Sequence, residues 1–409
     1  MSYNFFNITR EQIYSILLGV FMFFLTIGYN GAAYSFIALL LFFLIDKNLI
    51  KKLKGLNISI YLPFFLYLLV LSIGLLYTSN IPKGLEELRV RLPLLLFPIV
   101  LLTEPISFNK VQKILLLFKY WLFVWALVLI AHKLKYHNHT LWDLSSFSLF
   151  ELTGIHQLFF SQFYLLILVY IFYQHNNKQI STVKALVEIA FIVFFLVVLG
   201  SGLIIILALF FSFLYFLIAL KSNILKISSI LFLCVGMYAV KDTMLIKNRI
   251  YKLTHIEWNI QKNIEKHQIK DLNEFNSYNT LEFRILKWYT SVEIIKNNVL
   301  TGVGTGDYQD AINDGYKKID FKNGIRSKFN SHNQFLEDFV KIGILGFVTV
   351  FSIFAIPLYF AYKQNNHLLM IWILITLATA IIESIFDRFH GVAIYAFFIP
   401  LAYVLKSKK

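Results

Sequence analysis

Residues 183–220 read VKALVEIAFIVFFLVVLGSGLIIILALFFSFLYFLIAL. The stretch holds two apolar runs, 183–200 and 202–220, that meet at Gly200-Ser201-Gly202, and its only charges are Lys184 and Glu188. A helix needs about 20 apolar residues to cross the hydrocarbon core of a bilayer, so the pair reads as two spans joined by a tight break. The same rule applied outward adds 12–29, 31–46, 58–77, 92–104, 112–132, 155–173, 224–240, 334–362, 368–386 and 391–405. The expected fold class is all-α, a polytopic integral membrane protein with about 12 transmembrane helices and one long extracytoplasmic loop. Segment 92–104 is short and carries Pro93 and Pro98. A broken or re-entrant helix there is tolerated only if its backbone is buried in protein.

Composition agrees. Of the 409 residues, 58% are hydrophobic and 15% charged. Soluble domains run at roughly 45–50% apolar and about 25% charged. A soluble globular enzyme, a disordered chain and a secreted disulfide scaffold are excluded. The single Cys234 has no partner for an internal bridge and sits in an apolar run, where a thiol packs as a small hydrophobe.

Lys and Arg stay on the cytoplasmic side of a membrane. With the N-terminus inside, the inner segments hold Arg10, then Lys47, Lys51, Lys52 and Lys54, then Lys110, Lys113, Lys178, Lys184, Lys221, Lys226 and Lys363, and finally Lys406, Lys408 and Lys409. Few acids accompany them, chiefly Glu11, Asp46 and Glu104. Leaving out 92–104 would invert the rule downstream, so it counts as a crossing. The net charge of +15 then faces anionic lipid on the inner surface, and no nucleic-acid partner is expected. The first segment lacks a strongly basic start and a second span follows almost at once, so it reads as an uncleaved span. The chain divides into an N-terminal transmembrane bundle (1–240), an extracytoplasmic loop with an amphipathic helix (241–331) and C-terminal transmembrane helices (332–409).

Loops this long are uncommon unless they carry function. Within the insert, Leu281, Ile285, Trp288, Val292, Ile295 and Val299 alternate at four and three residues and share one helical face. Such a helix lies on the membrane surface or on the bundle. Arg284 falls at the edge of that stripe, where it either snorkels to lipid headgroups or points at a bound phosphate. Gly302-Val303-Gly304-Thr305-Gly306-Asp307 follows. Without a preceding strand it does not fit the dinucleotide fingerprint, and a helix stop with a turn is expected.

The stretch Asn330-Ser331-His332-Asn333-Gln334-Phe335-Leu336 runs into Gly343 and Gly346. Ser331 with Gln334 three residues on matches a capping box, which makes Ser331 the N-cap and puts His332 in the first turn of the next span. The positive end of a helix disfavours protonation of a nearby histidine, and a neutral imidazole at the outer face can accept a proton. The plainer alternative is a polar interfacial residue.

Arg89 and Arg91, in GLEELRVRLP (84–93), sit on the outer side against the positive-inside trend. They either pair with Glu86 or Glu87 or bind a phosphate. Glu188 has Lys184 four residues earlier, the spacing of a helical ion pair. Glu383, with Asp387 four residues on and Arg388 beside it, is a functional candidate by its depth in an apolar segment. His132, His137, His139 and His156 show no zincin spacing, so no metal site and no cofactor is expected.

Taken together, Arg91-Leu-Pro-Leu-Leu-Leu-Phe-Pro98, Arg284 with Trp288 before Gly302-Val-Gly-Thr-Gly306, and Ser331-His-Asn-Gln-Phe-Leu336 with Gly343 and Gly346 resemble the O-antigen ligase and O-antigen polymerase superfamily of bacterial envelope glycan assembly. The resemblance implies a GT-C-like membrane glycosyltransferase in the inner membrane, with cytoplasmic termini and a periplasmic loop. Its donor would be an undecaprenyl-diphosphate-linked glycan, and its acceptor a glycan or a lipid-A core. Transfer in the family is metal-independent and inverting. On the matching positions, His332 would activate or orient the acceptor, Arg284 would bind the diphosphate, and Arg89 or Arg91 would assist. The chain departs from the family at Gly200-Ser201-Gly202, where a Ser-Arg pair is usual, and near Gly154-Ile155-His156-Gln157, where the family's Pro and Thr are absent. One diphosphate contact is thereby left without a residue. The rival class is a secondary transporter or lipid-linked-sugar flippase using Glu383, Asp387 and Glu188. Such proteins show repeated halves, which this sequence lacks.

Overall fold

The computed structural model describes residues 9–55, 58–136, 152–219, 222–240, 251, 254–267 and 280–405. Among them every regular element is helical. The apolar runs become α1 (Arg10–Leu25), α2 (Tyr29–Leu44), α4 (Ile58–Ile73), α6 (Pro93–Thr103), α7 (Phe108–Tyr136), α8 (Gln157–Asn176), α9 (Thr182–Leu199), α10 (Gly202–Ala219), α11 (Asn223–Val240), α16 (Gln334–Lys363), α17 (His367–Ile382) and α18 (Phe389–Val404). Between them lie the short α3 (Leu49–Lys54) and α5 (Ile81–Arg91). The insert contributes α12 (Ile260–Lys266), α13 (Thr280–Asn297), α14 (Tyr308–Lys318) and α15 (Lys322–Arg326). Among the described residues, six helices are long and apolar enough to cross a bilayer alone: Ile58–Leu76, Phe108–Lys135, Gln157–Asn176, Thr182–Leu199, Gly202–Ala219 and Gln334–Lys363. Tyr29–Leu44, His367–Ile382 and Phe389–Val404 are apolar but shorter.

The bundle is apolar on its outer face as well as in its core. Along α10, Ile206, Phe210, Phe213 and Leu217 form an exposed stripe at helical spacing, the face a lipid-surrounded helix presents. Helices α8 and α18 are apolar all round and buried along almost their whole length, so they sit at the centre. Trp372 of α17 fixes one of them by donating its indole N–H to the Leu166 carbonyl, at 3.0 Å. Cys234 is exposed rather than packed inside.

Charges collect at two poles. At one, Glu104 at the end of α6 pairs with Arg10 (2.8 Å) from the start of α1 and with Lys52 (2.6 Å), and Lys110 pairs with Glu11 at 3.0 Å. At the other, Arg91, just before α6, pairs with Asp387 at 2.5 Å. The segment 92–104 therefore runs from pole to pole, although its helix is only about 16 Å long at 1.5 Å per residue. Its prolines fit: Pro93 takes the first helical turn, where no N–H is required, and Pro98 lies in a buried stretch. Glu188 does not pair with Lys184. It reaches Lys119 on α7 at 2.9 Å, while Lys184 donates to the Tyr120 hydroxyl at 3.2 Å. Burial on the helix–helix face won over the exposed local pair.

The insert has its own core of Ile264, Phe283, Leu286, Tyr308, Ile312, Tyr316 and Phe321, closed by Val340 of α16. This turns α13 relative to the sequence reading. The face it buries carries Glu282, Phe283, Leu286, Lys287, Thr290 and Ser291, whereas Val292 and Val299 of the expected stripe stay exposed. Tertiary packing on α14 overrode the apolar periodicity.

Helix α16 breaks at Ile342 and Gly343, where φ reaches −137° and +66°. Backbone groups freed inside a span cost several kcal/mol unless paired. The glycine turn after α13 pairs them. Val303 N–H donates to Val340 O (2.9 Å), Gly304 N–H to Lys341 O (2.9 Å), and Ile344 N–H to Val299 O (2.8 Å). The approach excludes side chains: a Cβ on Gly302 would lie 2.5 Å from the Lys341 carbonyl, and one on Gly343 2.3 Å from Leu300 O. The turn is thus a clamp of α13 onto α16, with its amides spent on backbone carbonyls and, at Gly306, on the Thr78 hydroxyl.

Candidate functional site around His332

The segment before α16 is built by side chains that cap and tether it. The N-cap is Asn333, whose Oδ1 accepts from Phe335 N–H (3.0 Å) and Leu336 N–H (3.1 Å). The capping box expected at Ser331 does not form. Gln334 turns sideways instead, donating to Asp338 at 2.8 Å and accepting from Phe386 N–H at 2.6 Å. Ser331 receives its tether from α14, its N–H donating to the Tyr308 hydroxyl at 2.6 Å. His332 consequently precedes the cap and adopts a left-handed φ of +46°. For a residue other than glycine this costs of order 1–3 kcal/mol. Asn330 holds the conformation: its Oδ1 accepts from His332 N–H (3.1 Å), and its Nδ2 donates to Asp387 (3.0 Å).

The imidazole Nδ1 lies 2.9 Å from Oε2 of Glu383, which follows the last turn of α17. No partner of Nε2 is found among the described residues. Burial pulls the His332 pKa below the ordinary value, against the opposing pull of Glu383, with Lys287 and Arg284 adding to the depression. Burial pushes Glu383 up, but the His332 hydrogen bond and the charges of His332, His156 and Arg284 leave it below the usual carboxylate range. The ring of Phe329 packs edge-on to His332, with centroids 6.2 Å apart.

Two cations of α13 face this pair. Arg284 is half-buried and within electrostatic reach of Glu383 and His332. Among the described residues it forms no ion pair. Lys287, one turn on, is 4% exposed, and its ammonium sits 3.8 Å from the centroid of the Phe329 ring. It too forms no ion pair among the described residues. Burial, assisted by the Arg284 charge, brings its pKa down to about 7. His156, which caps α8, and the exposed Arg388 complete the electrostatic neighbourhood.

Arg91 is placed differently. Its guanidinium is fully buried and donates to the Tyr67 hydroxyl (3.0 Å), Glu87, Glu337 (3.3 Å) and Asp387 (2.5 Å). Lys341 joins the same acids, at 2.6 Å from Glu87 and 2.5 Å from Glu337. Carboxylate oxygens of Glu87, Glu337 and Asp387 lie within 4.8 Å of one another, a spacing open to a metal ion, but Arg91 and Lys341 already sit among them. The network touches the His332 segment through Asn330 and Asp387. Arg89 points outward, 72% exposed and 3.9 Å from Glu86. Of the expected site residues, then, the fold brings Arg284 to His332, builds Arg91 into an ion cluster beside them, and leaves Arg89 on the surface.

The three acids of a transport pathway fall into separate pairs. Glu383 belongs to His332 and Asp387 to Arg91, while Glu188 and Lys119 meet Gln174 at the far end of α8. His156 and Gln174 bound that helix at opposite ends, roughly 27 Å apart at 1.5 Å per residue. His137 and His139 lie outside the described residues.

Sequence reasoning missed Lys287, Phe329, Asn330 and the Glu383–His332 pairing. The available signal was Lys287 itself, a second basic residue one helical turn after Arg284. Glu383 is 51 residues from His332 in the chain, and no periodicity joins them.

Comparison with known proteins agrees with the motifs. Residues 163–351 match the family model described as O-antigen ligase. The match spans Arg284, the glycine turn, His332 and the α16 break, and it supports the O-antigen ligase and polymerase superfamily. No curated protein matches the chain.

Proposed function

We propose that this chain, whose residues 163–351 match the O-antigen ligase family model, is a membrane glycosyltransferase that moves a glycan from an undecaprenyl-diphosphate carrier to an acceptor hydroxyl. The observation that carries the reading is the His332–Glu383 pair, at 2.9 Å, opposite two α13 cations that lack carboxylate partners among the described residues. Glu383 accepts from Nδ1–H, which leaves Nε2 with its lone pair free. Nε2 takes the proton of the acceptor hydroxyl as its oxygen bonds to the anomeric carbon. The bond from that carbon to the diphosphate oxygen breaks in the same displacement, inverting the centre. The departing prenyl diphosphate carries the electron pair, and Arg284 balances its charge as a metal does elsewhere.

A positioned base contributes roughly 10²–10⁴-fold. The pole bearing His332 is the extracytoplasmic one in this reading, the termini are cytoplasmic, and the acceptor is a glycan or a lipid-A core. The test is transfer by purified His332→Ala protein in nanodiscs with a lipid-linked glycan donor. Loss of transfer with an unchanged elution profile and melting temperature is expected. Wild-type transfer by that variant overturns the assignment.

A further inference from the structure

Lys287 is a buried ammonium whose nearest assigned company is an aromatic ring. Buried cations are ordinarily paired, because the desolvation of a lone charge is costly. Here the acids that could pair with it are otherwise engaged: Glu383 bonds to His332, and the Glu87, Glu337 and Asp387 group is taken by Arg91 and Lys341. The Phe329 ring face offers a cation–π contact, a weaker substitute. Four residues after Arg284, and so on its face of α13, Trp288 has a buried indole N–H without an acceptor. One turn and a half of helix therefore presents donors, and among the described residues no acceptor is assigned to the side chains of Arg284, Lys287 or Trp288. Buried donors left unpaired are rare enough to need an explanation, and a bound anion supplies it.

We propose that Lys287 is the second cation of an anion site shared with Arg284, gripping the diphosphate of the lipid-linked donor from the side opposite the His332–Glu383 pair. This rests on the glycosyltransferase reading and adds to it a residue that neither the motifs nor the family match assigns. The ammonium is held over Phe329 while the site is empty and turns to a phosphate oxygen when the donor seats. The charged groups facing it are Arg284 on its own helix, His332 before α16 and Glu383 after α17. With a pKa near 7 in the empty site, Lys287 takes up a proton when the anion binds, so donor affinity falls as pH rises above neutrality.

The test is binding of a farnesyl-diphosphate-linked N-acetylglucosamine, a diester with no ionisation near neutral pH, to the full chain in phosphatidylcholine nanodiscs. Lys287→Met is expected to weaken binding about 10–100-fold at pH 7, the worth of one charge-assisted contact. The same variant is expected to melt at a higher temperature, because a costly buried charge is gone; a merely structural lysine would lower it. Lys287→Arg is expected to bind within about 3-fold of wild type and to lose the pH dependence, since arginine stays charged throughout. Wild-type affinity in Lys287→Met, with Arg284→Gln weakened, overturns the role of Lys287 and leaves the glycosyltransferase reading standing. No binding by the wild-type protein overturns both. Displacement of the probe by phosphatidylglycerol at equal concentration would make the site one for a lipid headgroup and overturn the donor assignment.

Discussion

A Glu383→Gln substitution removes one negative charge from beside the His332 imidazole and keeps a side chain long enough to reach it. In the wild-type protein the contact is 2.9 Å and joins a carboxylate to Nδ1. Hydrogen bonds to charged groups contribute about 1.5–3 kcal/mol and neutral ones about 0.5–1.5 kcal/mol. The charge that accumulates on the imidazole as it takes the acceptor proton therefore loses roughly 1–1.5 kcal/mol of stabilisation, a fall in turnover of about 5–15-fold. The pH profile carries the sign. A base works only when unprotonated, so the rate falls as pH drops through the His332 pKa. Burial already holds that pKa low, and Glu383 opposes the effect. With the negative charge gone, the neutral amide favours the protonated ring less, and the acid limb of the profile moves to lower pH while the plateau falls. The assay is initial transfer rate between pH 5 and 8 in nanodiscs with saturating donor. An unchanged plateau, or an acid limb displaced toward higher pH, would refute the pairing of Glu383 with a basic His332.

The two arginines should separate by readout. Arg91→Gln strands the acids around it and is expected to cost about 3–5 kcal/mol of stability, seen as a large fall in melting temperature. Arg284→Gln, without an ion pair to break, is expected to melt normally and to lose donor binding; equal melting losses in both would contradict the placement. Gly343→Ala puts a Cβ 2.3 Å from the Leu300 carbonyl at a left-handed φ, so the clamp of α13 onto α16 should open and the yield of folded protein collapse. Normal folding and transfer by that variant would show that the clamp is dispensable.

Much of the bundle was legible from apolar run length, since crossing a bilayer demands a fixed length of helix whatever the neighbours are. Run length also flagged the weak segment 92–104, which the charge pattern counted as a crossing; the structure gives it a short helix between the ion pairs of Arg91 and of Glu104. The same logic failed on α13. Periodicity reports which residues dislike water, but a helix covered by two layers, core on one side and solvent or lipid on the other, can bury its more polar face. It failed again at Ser331, where two capping residues two positions apart compete and the sideways bonds of Gln334 decide between them.

The sequence alone determined that this is a membrane protein of many helices and that an arginine, a glycine turn and a histidine follow one another in its C-terminal half. It also contained every residue of the site, because residue types and their order are local facts. Only the tertiary structure decided the distant partnerships: Glu383 rather than solvent for His332, Tyr67, Glu337 and Asp387 beside the local Glu87 for Arg91, a phenyl ring for Lys287. Those distant pairings join residues tens to hundreds of positions apart. They are set by how α13, α16 and α17 pack, which depends on the summed fit of the whole bundle and not on any repeat in the chain.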